Sequence, residues 1–371
     1  MIQYLQCRVL IVGGGPAGAT AARELAKYGI DHILLEKDMT FRKPCGGGLM
    51  LRAFEEFGIS PTLIEKLVSS IHVVSPKGRR VRVDISDAPL AIVDRARFDA
   101  ALRSEAKGAG SRLIEAKAYR VERGEKVRVW ARSTEERMLI EAEYLIAADG
   151  VNSLIRKKLC HTLPSRVLTH YADMRTLHTE SCQFWFGRRI APGHYAWLFP
   201  HHQGSNVGTI IDPKGSSQHP IIHFLSRLDT EEQPRIKGYH IPQWREDILY
   251  QGRVFFVGDS ASIVLPFTYE GIYYAMQSAR MAVEAIVAGD PLQYTLKWRS
   301  INQKRFRFLR LLQHIFLYSD FMAERLVALY AYPRFQRAVI GYWMGKREPV
   351  GSVRTLWKVA KVLLLSSLYK R

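Results

Sequence analysis

Three observations on the 371-residue sequence predict an α/β fold, a Rossmann-type dinucleotide-binding domain carrying an inserted antiparallel β-sheet and a helical C-terminal region. The first is a unit near the start: the apolar run Val9-Leu10-Ile11-Val12, the turn Gly13-Gly14-Gly15-Pro16-Ala17-Gly18, a helical stretch, and a second run Ile33-Leu34-Leu35 tipped by Glu36. The second is a late continuous apolar run, Val254-Phe255-Phe256-Val257, of the kind buried inside a parallel sheet, ending in Gly258-Asp259. The third lies between them, where residues 164–239 change to aromatic-rich alternation, the period of a separate antiparallel sheet.

In the first unit each glycine has its own task. Gly13 permits the tight turn, Gly15 lets a pyrophosphate approach the backbone, and Gly18 lets helix and strand pack closely. The free N–H groups where Pro16 and Ala17 open the helix receive phosphate. Ala21, Ala22, Leu25 and Ala26 form a small-residue stripe behind them, and Glu36 stands where a carboxylate takes both ribose hydroxyls. The loop 37–51 contains Phe41-Arg42-Lys43-Pro44-Cys45-Gly46-Gly47-Gly48-Leu49, and three consecutive glycines mean that backbone passes close to something or moves.

A helix over 50–57 follows, then a β-hairpin in which Val73 faces Val81 and Val83 across the turn Pro76-Lys77-Gly78. Asp94-Arg95-Ala96-Arg97-Phe98-Asp99 leads into a helix with Phe98, Leu102 and Ala106 on one face. Strands fill 113–148, with turns at 123–126 and 133–136, and the last runs into Asp149-Gly150. After the late strand, Glu270-Gly271 opens a helix whose apolar positions Ile272, Ala275, Met276, Ala279, Val283 and Ile286 have the period of a buried face. The expected organisation is therefore a discontinuous nucleotide domain over 1–163 and 250–290, with a hairpin near 71–92 reaching the substrate side. A substrate domain over 164–249 and a basic helical region over 291–371 complete it.

The formal charge of +19 points to an anionic partner, and 47% hydrophobic residues exclude a disordered chain. Nucleic acid is the weakest candidate, since no zinc finger or aromatic RNA-binding signature is present. Cys7, Cys45, Cys160 and Cys182 form no C-x-x-C pair and read as thiols of a reducing compartment. No signal peptide precedes the first strand, so a cytoplasmic location is expected. His194, His201 and His202 lack a second ligand group at zinc spacing, so no metal is expected. Gly108-x-Gly110 follows a helix and not a strand, which excludes a second nucleotide site.

The glycine unit, Asp94-Arg95-x-x-Phe98-Asp99-x-x-Leu102, Ala148-Asp149-Gly150 and Val257-Gly258-Asp259 stand in one order. Together they resemble the FAD-dependent oxidoreductases of the para-hydroxybenzoate hydroxylase type. Two further motifs are similar to those of the geranylgeranyl reductase family: the Cys-Gly loop Lys43-Pro44-Cys45-Gly46-Gly47-Gly48-Leu49, and Pro192-Gly193-His194-Tyr195-Ala196-Trp197-Leu198-Phe199-Pro200, a P-x-x-Y-x-W-x-F-P. The resemblance covers about the first 290 residues. It implies FAD contacts at Gly13, Gly15, Pro16, Ala17, Gly18, Glu36 and Lys37, in the Cys45, Gly46 and Gly47 loop, and at Arg95, Asp149, Gly258, Asp259, Gly271 and Ile272. In it Asp259 serves the ribityl or pyrophosphate side, and the helix at Gly271 turns its positive end to the flavin ring.

The implied reaction is hydride transfer from reduced FAD to a carbon–carbon double bond of a polyprenyl (geranylgeranyl-type) group carried on an isoprenoid lipid, a prenyl-quinone or a diphosphate. Tyr195, Trp197 and Phe199, spaced by two, share one face of a strand, as a wall for a polyprenyl chain or as an ordinary sheet core. Cys45 is open to three readings: donating the proton that follows hydride addition, modulating the flavin, or filling space. Arg95 contacts the flavin or only pairs with Asp99. NAD(P)H and ferredoxin leave no diagnostic motif, so either is open as electron donor. Tyr269 stands where the family often has glycine, which narrows the pocket over the ring. A monooxygenase or halogenase of the same fold is the nearest alternative, and a flavin-binding protein without turnover the next. In the tail, Lys304, Arg305, Arg307 and Arg310 alternate with Phe306, Phe308 and Leu309, and 353–371 repeats the pattern. That suits a peripheral helix on an anionic membrane, or a helix packed on the body with its lysines in water.

Overall fold

The computed structural model describes residues 2–211 and 220–343. Six strands of its eight-stranded sheet lie in the order Tyr250–Gln251, Val254–Phe256, Arg137–Ala147, Ile2–Val12, His32–Glu36, Arg112–Glu115. All these pairs are parallel except the outermost, Tyr250–Gln251 on Val254–Phe256. Lys117–Arg123 and Val127–Arg132 extend it as an antiparallel flap on Arg137–Ala147. Val9, Leu10 and Ile11 are wholly buried, as expected of a parallel strand covered on both faces.

The helix Pro16–Lys27 packs on Arg95–Gly108 and Ile272–Val287. Late chain thus completes the domain that the first thirty residues begin. Arg95–Gly108 starts where the Asp94 carboxylate accepts the Arg97 N–H at 2.9 Å. Its predicted stripe of Phe98, Leu102 and Ala106 is buried.

A second, seven-stranded sheet runs Lys237–Pro242, Arg166–Met174, Gly204–Ile211, Ala196–His201, Cys182–Trp185, Ser70–Val74, Arg80–Asp84. The hairpin expected near 71–92 forms from its last two strands and joins this sheet. It does so through a parallel pair, Ser70–Val74 with Cys182–Trp185, while the five strands within 166–242 pair antiparallel throughout, as expected of the inserted sheet. Strands brought together from segments a hundred residues apart are free of the hairpin rule that forces antiparallel neighbours. A third, small sheet of Gly48–Met50, Leu90–Val93 and Ile64–Val68 was not foreseen. In it Met50 is a strand residue, and the helix expected from 50 begins at Arg52.

Beyond 291 the described chain is helical to Trp343: Leu292–Trp298, a π-helical turn Arg299–Gln303, Lys304–Leu317, Asp320–Leu329 and Pro333–Trp343. No helix among the described residues is long and apolar enough to cross a membrane. The amphipathic repeat expected over 353–371 lies outside the described residues.

Candidate active site

The parallel sheet, the second sheet and the C-terminal helices meet around one cavity of about 540 Å³. At one end lies the glycine turn. Gly13 has φ +106°, and a Cβ there would stand 2.3 Å from the Ala148 carbonyl oxygen; one on Gly18 would stand 1.8 Å from that of Gly13. A Cβ on Gly15 would meet no heavy atom within 4 Å, and Gly15 faces the cavity. Two of these glycines therefore serve packing, while the third leaves room.

The helix Pro16–Lys27 has no side-chain cap and no acid in its first turn. Ile272–Val287, whose first residues also line the cavity, has neither. Two uncapped helix N-termini thus open on one space, each presenting unsatisfied N–H groups and a partial positive charge. By contrast Leu154–Cys160, nearby, is closed: the Asp149 carboxylate accepts the Ser153 hydroxyl at 2.6 Å and the Ile155 N–H at 3.0 Å. Burial raises the Asp149 pKa above the ordinary carboxylate value, against these hydrogen bonds. Its first task is capping, at the cavity wall.

Glu36 accepts the backbone N–H groups of Gly14, at 2.5 Å, and Asp38, at 3.1 Å. Each carboxylate oxygen keeps lone-pair capacity toward the cavity it lines. Arg103, which has no motif to announce it, ties the turn to the next loop by donating to the Gly14 and Met39 carbonyls at 3.1 and 2.7 Å.

At the other end the Cys-Gly loop locks onto the aromatic strand. A Cβ on Gly46 would stand 2.6 Å from Phe199 Cδ2, and one on Gly47, at φ +74°, 2.5 Å from the Val93 carbonyl oxygen. The close approach that three glycines imply is thus to the Phe199 ring. Trp197 lies over Gly208, where a Cβ would come within 2.1 Å of its ring, and its indole N–H donates to Asn206 Oδ1 at 2.8 Å. Phe184 packs edge-on to both Tyr195 and Phe199, with ring centroids 5.1 and 5.3 Å away. The Tyr195 hydroxyl donates to the Thr268 carbonyl at 2.6 Å, and burial lifts its pKa well above the ordinary tyrosine value.

Between the ends lie two ion pairs. Arg95 forms a bidentate pair with Asp99 at 3.0 and 2.7 Å, which settles its pairing, and it also lines the cavity facing Cys45. Asp259 is paired with Lys43 of the glycine loop. Burial opposes the Lys43 charge, but the Asp259 carboxylate outweighs it and holds the ammonium above its ordinary value. Within its motif nothing in the sequence singles Lys43 out.

The structure brings Gly13, Gly15, Pro16, Ala17, Glu36, Lys37, Cys45, Gly46, Gly47, Arg95, Asp149, Asp259, Gly271 and Ile272 to the cavity wall with Tyr195, Trp197 and Phe199. Two expected cofactor contacts do not face it. Gly18 packs on Gly13, and Gly258, at φ +57°, donates its N–H to Ser278 Oγ at 3.0 Å and sits against Ala17 and Ala275. Gly258 therefore seats one helix on the other. The wall also contains Thr169, Tyr171, Tyr239, Glu270 and Trp343, which carried no signal as site residues beyond the aromatic alternation and the Glu270-Gly271 turn. His194 and His201 bond Tyr269 and Glu65 respectively. Among the described residues no group of three His, Cys, Asp or Glu could hold a metal ion.

Residues 6–237 match the FAD binding domain family. The chain is 32% identical to the geranylgeranyl diphosphate reductase of Rhodobacter capsulatus over 91% of each sequence. It belongs to the geranylgeranyl reductase family of FAD-dependent oxidoreductases. Within that family it is also 29% identical to the digeranylgeranylglycerophospholipid reductase of Methanocaldococcus jannaschii, over 83% of this chain and 84% of that one. A geranylgeranyl bacteriochlorophyll reductase-like protein of Thermoplasma acidophilum shares the fold with a TM-score of 0.79 at 22% identity, covering 96% of this chain and 99% of that chain. The open space at Gly15 and the two uncapped helix ends fit FAD, an anionic dinucleotide with a ring that gains negative charge on reduction.

Proposed function

We propose that this family member saturates carbon–carbon double bonds of a polyprenyl chain carried on a diphosphate, a glycerophospholipid or a quinone. One observation carries the reading: the face of Tyr195, Trp197 and Phe199 opens on the same cavity as the two uncapped helix ends. An apolar chain and a flavin would share one enclosed space. Bound and reduced by two electrons, FAD supplies a hydride.

The remaining work belongs to the chain. Gly15 and the helix at Pro16 hold the pyrophosphate, and Glu36 with Lys37 the adenosine ribose. Asp259, fixed by Lys43, takes the ribityl side, and the helix at Gly271 favours negative charge at the ring. Cys45, Gly46 and Gly47 line the same cavity as that helix start and would border the ring. Isolated alkenes resist hydride, so positioning and exclusion of water are what the aromatic wall must provide.

The membrane is the source from which such a substrate comes. Leu292, Leu296 and Ile301 are exposed, among the basic residues Lys297, Arg299 and Lys304. That combination supports peripheral contact with an anionic surface. Co-sedimentation with anionic vesicles, absent with neutral ones, is the expected result.

The test of function is anaerobic. FAD-loaded protein reduced with dithionite, which bypasses the choice between a nicotinamide and a ferredoxin donor, is given geranylgeranyl diphosphate or a digeranylgeranyl glycerophospholipid in turn. A mass gain of two hydrogens per step in one of them names the substrate class. No gain in any prenyl compound rejects the reading, and a product made only with oxygen transfers the chain to the monooxygenase alternative.

A further inference from the structure

Saturating one double bond needs a hydride on one carbon and a proton on the other. The cavity wall holds five carboxyl groups, and four are committed. Glu36 accepts two backbone N–H groups, Asp99 binds Arg95, Asp149 caps a helix, and Asp259 binds Lys43. The fifth is Glu270. Among the described residues neither of its carboxylate oxygens accepts a hydrogen bond, and both are shut off from water, although the residue itself borders the cavity.

Its surroundings are specific. Arg52 from the helix Arg52–Phe57 and Arg305 from Lys304–Leu317 are the cations near it. Trp343, at the end of Pro333–Trp343, turns its indole N–H toward the carboxyl beyond hydrogen-bond geometry. Tyr274, one turn on, and Tyr195, just before the aromatic strand Ala196–His201, complete the titratable groups that face it. Arg305 donates to the Tyr342 carbonyl at 2.8 Å and to that of Trp343, and Arg52 lies 4.4 Å over the Tyr273 ring. Neither cation is delivered onto the carboxylate, so burial prevails over their attraction and raises the Glu270 pKa to about 7. A group poised there can both hold a proton and release it near neutral pH.

We propose that Glu270 is the acid that protonates the alkene, a role that rests on the prenyl-reductase reading above. The hydride from reduced flavin accounts for one hydrogen and both electrons. The second hydrogen leaves Glu270 as its O–H bond breaks and a C–H bond forms on the neighbouring carbon. The carboxylate that remains lies near Arg52 and Arg305, whose charge steadies it until a proton returns by way of the cavity. Of the rival donors, the Tyr195 hydroxyl is spent on the Thr268 carbonyl, whereas Cys45 Sγ accepts the Gly47 N–H at 3.3 Å and keeps its own proton, so a Cys45→Ser variant is the control for Glu270→Gln.

The experiment uses FAD-loaded protein, dithionite and geranylgeranyl diphosphate. Glu270→Gln is expected to lower the rate of alkene reduction on the order of 100-fold or more, with FAD content and the rate of flavin reduction unchanged. The wild-type rate should fall about tenfold per pH unit above about 7, since the donor must be protonated, and this limb should vanish in the Gln variant. Glu270→Asp should retain turnover with the limb moved. A second readout needs no turnover: the infrared carbonyl band of a protonated carboxyl should disappear as pH rises through about 7 in the wild type and be missing in Glu270→Gln.

A Gln variant within threefold of the wild-type rate, or a wild type without that titrating band, overturns the role. Should the Gln variant fail to fold, the Asp variant and the wild-type band decide it. A wild type that reduces no prenyl compound rejects the reductase reading first, and the infrared band then reports Glu270 separately.

Discussion

The two ends of the cavity are built on different principles. At the glycine-turn end a continuous stretch of chain, from Val9 to Glu36, makes its own site: strand, turn, helix and acid follow one another and close by local hydrogen bonds such as Gly14 to Glu36. At the opposite end, proposed above for the flavin ring, nothing is local. Gly46 meets Phe199, Lys43 meets Asp259, Tyr195 meets Thr268, and Glu270 lies under Arg52, Arg305 and Trp343. A site built from neighbours in sequence keeps its function wherever the fold is kept. One assembled from distant segments is free to change its chemistry by changing one segment, which is how a shared FAD fold comes to carry different reactions.

The sharpest break of this contrast is within the glycine turn. Gly18→Ala places a methyl 1.8 Å from a backbone oxygen, and is expected to cost about 3 kcal/mol or more, read as a fall in melting temperature of the flavin-free protein. Gly15→Val should leave that melting temperature nearly unchanged, because its space is open, and abolish FAD retention instead. If both variants lose stability equally, the division of labour among the glycines is wrong.

At the ring end Lys43→Met leaves the buried Asp259 carboxylate unpaired and should destabilise by about 3 kcal/mol, a loss that Lys43→Met with Asp259→Asn largely restores. Gly46→Ala drives a methyl into the Phe199 ring and should cost about 1 to 3 kcal/mol. Combined with Phe199→Leu the loss should be less than additive, as expected for groups in contact; strict additivity in urea unfolding would separate loop from strand.

The last effect is spread over pH as a slope. The Glu270 pKa is raised by folding, so the folded state holds a proton that the unfolded chain releases. Stability therefore falls as pH rises from the ordinary carboxylate value toward about 7. The loss is on the order of 3 kcal/mol, and Glu270→Gln should flatten this slope between the ordinary carboxylate value and about pH 7.

How much was legible in the sequence follows the same contrast. The first unit, the buried face of Ile272–Val287 and the strand Val254–Phe256 that leads to Gly258-Asp259 are periodic or glycine-marked, and each appears where its pattern placed it. The Cys-Gly loop and the aromatic strand announced themselves only through a family resemblance, since alternation of Tyr195, Trp197 and Phe199 is equally the pattern of a plain core. Met50 was assigned to a helix because its strand partner, Leu90, is forty residues away. The parallel pairing of Ser70–Val74 escaped notice for the same reason.

By itself, then, the sequence determined the dinucleotide turn, the class of fold and the presence of an aromatic wall, all of which depend on local backbone sterics and side-chain period. Only the tertiary structure decided that Gly258 seats a helix, that Arg95 belongs to Asp99, and that Asp259 answers to Lys43. It alone left Glu270 without a partner at the cavity. Charge pairing and desolvation depend on which distant groups folding brings within a few ångströms, and no spacing along the chain records that.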